Sequence, residues 1–88
     1  MSQTIHKYQN VCDKALTTYQ GMRIIHAEND NYGQVTVWAE VDTADAATEA
    51  HFTVIGTGHP RPEGYAHVHT WTDGPFVWHL YYALRGEL

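Results

Sequence analysis

Eighty-eight residues are enough for one domain and not for two, and a domain of this size hides roughly 60–65% of the surface its unfolded chain exposes. Hydrophobic residues make up 43% and aromatics 12%, which supplies a packed interior and excludes general disorder. The net charge of −5 comes from ten acids against five cations, and Lys7, Lys14, Arg23, Arg61 and Arg85 are scattered singly, so the basic stripe that nucleic-acid backbones require is missing.

The acids gather only modestly, at Glu40, Asp42, Asp45 and Glu49, short of the dense carboxylate row of a nucleic-acid mimic. Cys12 is the single cysteine and has no internal disulfide partner. The opening Met1-Ser2-Gln3-Thr4 lacks the basic segment and apolar run of a secretory leader. The longest apolar stretch, Phe76 to Leu84, is interrupted by His79 and is less than half of the roughly 20 residues a helical membrane span needs. A cytoplasmic location, with neither membrane nor nucleic acid as partner, is the expectation.

β-type runs alternate with turn chemistry about every ten to fifteen residues, which favours a sandwich or small barrel over a βαβ fold. The first run, Ile5 to Val11, alternates without a cleanly apolar set and belongs at an edge. Cys12 to Gln20 reads as a connection: Asp13 is placed to cap a helical turn, while Thr17-Thr18-Tyr19 leans towards strand. A second strand covers Met22 to Ala27, and Asn29-Asp30-Asn31-Tyr32-Gly33 makes a turn, since Asn, Asp and Gly tolerate positive φ. The third strand, Gln34 to Asp42, is the clearest: Val35, Val37, Ala39 and Val41 share one face, Thr36, Trp38, Glu40 and Asp42 the other. These two strands form a hairpin.

Thr43 to Ala50 reads as one helical turn or a polar loop. A fourth strand follows at His51 to Gly56, then an ordered loop from Thr57 to Gly64. The fifth strand, Tyr65 to Thr72, turns at Asp73-Gly74-Pro75 into a sixth, Phe76 to Ala83. The expected fold is all-β: a single small antiparallel β-sandwich or barrel-like domain of about six strands over residues 1–88, with its structured core at about 5–83.

Three features carry candidate chemistry. Seven histidines is a high number. His67 and His69 are two apart and share a face on a regular strand. If Thr72 lies opposite Phe76, His69 lies opposite His79, within reach of a shared divalent ion such as zinc, with Asp73 or His59 as a further ligand. A two-residue Asp73-Gly74 loop instead sets His69 against Trp78, Trp71 against Phe76 and Tyr65 against Tyr82, and sends His79 to the opposite face. Gly56, Gly58, His59 and Arg61 form a second candidate, a small anion or nucleotide loop, though no helix follows to make a dinucleotide fingerprint or P-loop. A tight strand exit explains the glycines equally simply. Third, Trp71, Phe76, Trp78, Tyr81 and Tyr82 concentrate in the last two strands. Alternation along the final strand puts apolar side chains on both faces, as in a central strand or one covered by a second copy. Cys12 beside any histidine is too easy a coincidence to mark a nucleophile.

Ile5-His6-Lys7-Tyr8, Val37-Trp38-Ala39-Glu40-Val41-Asp42, Gly56-Thr57-Gly58-His59-Pro60 and Val77-Trp78-His79-Leu80-Tyr81 together resemble a family of short, uncharacterised domains encoded mainly by bacteriophages and prophages. The resemblance runs from about Ile5 to Tyr82. It implies an all-β fold, a phage or prophage origin and a protein partner from the host or the phage, and it implies no activity. His59 and His79 fit its pattern; the His67–His69 pair does not.

The leading expectation is therefore a non-enzymatic, phage-derived binding module, self-associating through its aromatic strands, with no cofactor. The alternative is a small metal- or ligand-binding domain, conceivably an enzyme, built on His67, His69 and His79 with the His59 loop. A third idea is pH sensitivity, since seven histidines titrating in mild acid change the sign of the net charge.

Overall fold

The computed structural model describes residues 2–85, and they form seven strands, one more than the pattern predicts. These are β1 (Gln3–Tyr8), β2 (Ala15–Tyr19), β3 (Arg23–Asn29), β4 (Val35–Asp42), β5 (Ala47–Gly56), β6 (Ala66–Asp73) and β7 (Phe76–Leu84). All pairings are antiparallel. One sheet runs β1-β4-β3 and the other β2-β5-β7-β6. No helix in it is long and apolar enough to cross a membrane. The two sheets share one core, and the 16 Å short dimension is that of two layers stacked about 10 Å apart with their side chains. The all-β sandwich is thus the fold, and the barrel alternative falls because the sheets stay separate.

β4 behaves as its alternation predicts. Val35, Val37, Ala39 and Val41 are buried, while Trp38 and Glu40 face outward. Ala50 and Phe52 from β5, Leu80 and Leu84 from β7, Trp71 from β6, and Val11 and Met22 from the connections complete the core. β1 lies at an edge, as expected, but ends at Tyr8. Asn10 and Asp13 both take positive φ (55°), which bends the chain from the first sheet onto the second. Val11 plugs that corner with its N–H on the Val35 carbonyl (3.1 Å), and the Asp13 carboxylate accepts the Val54 N–H at 3.0 Å.

Two sequence readings are corrected here. The connection at 12–20 contains β2, which pairs with the first half of β5. Thr18 points inward, buried, with the Tyr8 hydroxyl 2.8 Å away. The stretch read as a helical turn or loop is strand from Ala47 onward, because β2 and β7 supply ladder partners to Ala-rich residues that have weak strand preference alone.

The hairpin register is a third correction, since the structure adopts neither predicted alternative. Asp73 pairs with Phe76, Trp71 with Trp78, Thr70 with His79 and His69 with Leu80. The loop is Gly74-Pro75. Gly74 takes φ of +57°, the conformation a II′ hairpin needs at its first central position, and Pro75 supplies the fixed negative φ of the second.

Candidate functional site

The outer face of the four-stranded sheet is assembled by pairing. β5 sets His51, Thr53 and Ile55 beside Ala83, Tyr81 and His79 of β7, and β6 adds Thr70 opposite His79 and Thr72 opposite Val77. His67 joins this face through a bulge. The register shifts between His67 and His69, so the extra residue, Val68, reverses the side-chain phase and His67 pairs with Tyr81. The i, i+2 rule that groups His67 with His69 on a regular strand therefore fails at this position.

The structure brings together His67 and His79 and separates them from His69. His67 Nε2 lies 2.7 Å from Thr70 Oγ1, and the same oxygen lies 2.9 Å from His79 Nδ1. On its other side, His79 Nε2 is 2.8 Å from Thr57 Oγ1, whose hydroxyl reaches the Val77 carbonyl at 3.4 Å. With both imidazoles neutral, one donor assignment satisfies every link. Thr57 donates to Val77, His79 Nε2–H donates to Thr57, Thr70 donates to the bare His79 Nδ1, and His67 Nε2–H donates to Thr70. The two rings stand 6.4 Å apart, and Tyr81 meets His67 edge-on at 5.5 Å.

His69 turns towards the other sheet. Its ring stacks on Trp71 at 5.8 Å, and its Nε2 lies 2.9 Å from Asn29 Oδ1. Asn29 Nδ2 donates to the Asp30 carbonyl at 3.3 Å, which fixes Oδ1 as the acceptor and His69 as the donor. Desolvation lowers the His69 pKa, and the neighbouring imidazoles His67 and His26 push in the same direction.

The glycine loop touches this cluster through the Thr57 hydroxyl. A Cβ on Gly56 would stand 3.2 Å from His59 Cδ2 and 3.3 Å from Trp78 Cζ3, so glycine here admits close approach of two rings. The Thr57 and His59 N–H groups donate to the Val77 and Gly56 carbonyls, which engages two of the amides an anion cradle would use. Gly58 (φ +93°) and Arg61 are exposed. Of the five aromatics singled out, Trp71 is buried at 7% exposure and so is not available to a partner. Trp78 and Tyr82 pack partly buried against the core. Phe76, 58% exposed, stacks on Trp78, and Tyr81 lies half-buried on the outer face.

Thr57, Thr70, Thr53 and Ile55 complete the face and escaped sequence reasoning. Alternation along β5 would have grouped the last two. The Cys12 thiol donates to the Gly33 carbonyl at 3.4 Å, and burial pushes its pKa up, the reverse of an activated nucleophile. At the Gln3–Asp42 end of the other sheet lies an open groove of about 490 Å³. There Arg23 meets Glu40 at 2.6 Å beside Asp42 and Asp45, and both paired side chains are more than half exposed, so solvent screens the contact. Glu49 is on the opposite sheet, 3.3 Å from Arg85.

Fold and site together define a small antiparallel β-sandwich domain with a hydrogen-bonded histidine pair on the outer face of its larger sheet. The chain belongs to the family described as Domain of unknown function (DUF7352), whose model matches residues 1–87. No curated protein matches it, and no solved structure does.

Proposed function

We propose that this protein is a non-enzymatic binding module of phage or prophage origin that acts in the host cytoplasm and pairs with a second copy of itself through the outer face of the four-stranded sheet. The observation that carries this reading is that face. Ile55 lies opposite His79, and Val77 and Tyr81 flank that histidine along β7, all three half-buried, with no strand of the described chain packed across them. Tyrosine and branched aliphatics on a flat sheet are suited to a partner that covers them. The resemblance to phage-encoded domains supports the origin, and a host or phage protein is the further partner it implies.

The size of the face sets the strength. Four strands spaced about 4.8 Å apart and roughly eight residues long at about 3.3 Å each present roughly 500 Å² per copy. Face-to-face pairing buries roughly 1,000 Å² in total, at the lower limit for a specific interface, so association is weak and concentration-dependent. Sedimentation of untagged protein from low to high micromolar concentration tests this. Growth of a dimer with concentration, lost in Tyr81→Asp with circular dichroism unchanged, is the expected result. A monomer at every concentration overturns the reading.

A further inference from the structure

We infer that the open edge of β1 takes up an extended segment of a protein partner as an added strand of the smaller sheet, the segment carrying an apolar residue and, two positions later, a lysine or arginine. This edge belongs to the opposite sheet from the pairing proposed above and works independently of it.

The backbone supplies the acceptor site. The β1–β4 register, which pairs Gln3 with Asp42, sets Ser2 opposite Thr43, and the Ser2 carbonyl accepts the Thr43 N–H at 3.1 Å. A bond between directly opposed residues marks a hydrogen-bonded pair, and such pairs alternate along an antiparallel ladder. Thr4, His6 and Tyr8 therefore turn their N–H and C=O groups towards β4, and Gln3, Ile5 and Lys7 turn theirs away from it. Because β1 ends the sheet order β1-β4-β3, these outward groups have no ladder partner among the described residues. All three residues are exposed.

The other three sheet edges are blunted. β3 and β6 each carry a break in register, between Ile24 and His26 and between His67 and His69, and β2 is only five residues long. Bulges and short strands ordinarily guard an edge against pairing, as does a lysine standing on it. β1 keeps an unbroken register, and its lysine is turned aside, with Lys7 Nζ over the Trp38 ring of β4 at 5.7 Å from the centre.

Side chains define the partner. Gln3 and Ile5 share the outward face with their β4 opposites, Asp42 and Glu40. Ile5 is 56% exposed, and an apolar residue paired across from it would cover it. The groove of about 490 Å³ at this end is lined by Gln3 and Ile5 with Glu40, Asp42 and Asp45, and its one cation, Arg23, is already engaged with Glu40. A residue opposite Gln3 stands two strands, roughly 9.6 Å, from Asp42. A lysine or arginine spans that gap, whereas an acidic residue there meets like charge. Antiparallel pairing, which every ladder of this domain uses, runs the segment from Lys7 towards Gln3 and so puts the apolar residue before the cation. Main-chain bonds then give affinity, and the alternate side chains give selectivity.

The test is an amide NMR titration of the full chain with the capped synthetic peptide Thr-Glu-Thr-Val-Thr-Lys-Thr, which sets its Glu against Lys7, its Val against Ile5 and its Lys against Gln3. A second peptide of the same composition has the Glu and Lys exchanged. The first peptide should give saturable shifts at the Gln3, Ile5 and Lys7 amides and slow their hydrogen exchange, and the second should bind severalfold more weakly. Ile5→Pro deletes an N–H that faces the open edge, so circular dichroism should be retained and binding lost. Asp42→Asn keeps the oxygen that accepts the Ala44 N–H, at 2.9 Å, and removes the charge, so it should narrow the preference between the peptides whatever Ile5→Pro does to folding. No shift at β1 up to the solubility limit of the first peptide, or shifts on the larger sheet instead, overturns the inference. Equal binding of the two peptides, or a preference unchanged in Asp42→Asn, overturns the cationic partner.

Discussion

The contact between Tyr8 and Thr18 stitches the two sheets together and is suited to a double-mutant cycle. Tyr8 is on β1 of the smaller sheet and Thr18 on β2 of the larger, and their hydroxyl oxygens are 2.8 Å apart. The Thr18 hydroxyl donates to Met22 Sδ at 3.3 Å, which leaves the Tyr8 O–H as the donor to Thr18 Oγ1. Thr18 is only 1% exposed, so water cannot replace a lost partner there. A net hydrogen bond contributes about 1 kcal/mol, and an orphaned buried group costs about 1–3 kcal/mol. Tyr8→Phe should therefore cost about 1 kcal/mol, since Thr18 retains Met22. Thr18→Val, close in shape, should cost about 1–1.5 kcal/mol by stranding the half-buried Tyr8 hydroxyl. The double variant should cost less than the sum, with a coupling of about 1 kcal/mol. With about 2.1 cal/mol/K of unfolding entropy per residue, 1 kcal/mol over 88 residues shifts Tm by about 5 °C. Urea unfolding of the four proteins measures the cycle. A coupling below about 0.3 kcal/mol would refute the claim that this bond joins the sheets.

Leu80 is fully buried at the centre of β7, so Leu80→Ala should destabilise by about 3–5 kcal/mol, and calorimetry should find the variant close to unfolded at 37 °C. Gly74→Ala forces an L-residue to φ of +57°, and chemical denaturation should register a loss of about 1–2 kcal/mol. The lowered pKa of His69 makes a signed prediction. Its neutral form is favoured in the fold, so its contribution is complete above the ordinary value of 6.5 and is lost as pH falls below it, when the unfolded chain gains the proton first. His69→Gln should flatten the fall in Tm between neutral pH and pH 5, and an unchanged acid slope would count against the assignment.

Local patterning carried the fold where one face is strongly apolar. β4 alternates so regularly that its core face, its partner β3 and the Asp30 turn all follow from the residues. β2 and the first half of β5 did not, because Thr17, Thr18 and the alanines near Ala47 acquire strand geometry only from each other across the sheet. Both faces of β7 were legible as apolar, and its interior place between β5 and β6 accounts for part of that. The site was half legible. His67 and His79 were both singled out, but the bulge at Val68 is a one-residue irregularity with no signature in Ala66-His67-Val68-His69, and it exchanges which histidines share a face. The Gly74-Pro75 loop had a signature, since glycine followed by proline fits the II′ positions, and that reading would have given the observed register.

The outer sheet face as the place of self-association is tested most directly by amide NMR spectra recorded over a concentration series. The account predicts that shifts and broadening on concentration cluster at Ile55, His67, Thr70, Val77, His79 and Tyr81. Changes confined to the smaller sheet around Ile5, Arg23 and Trp38, or spectra that do not change at all, would contradict it.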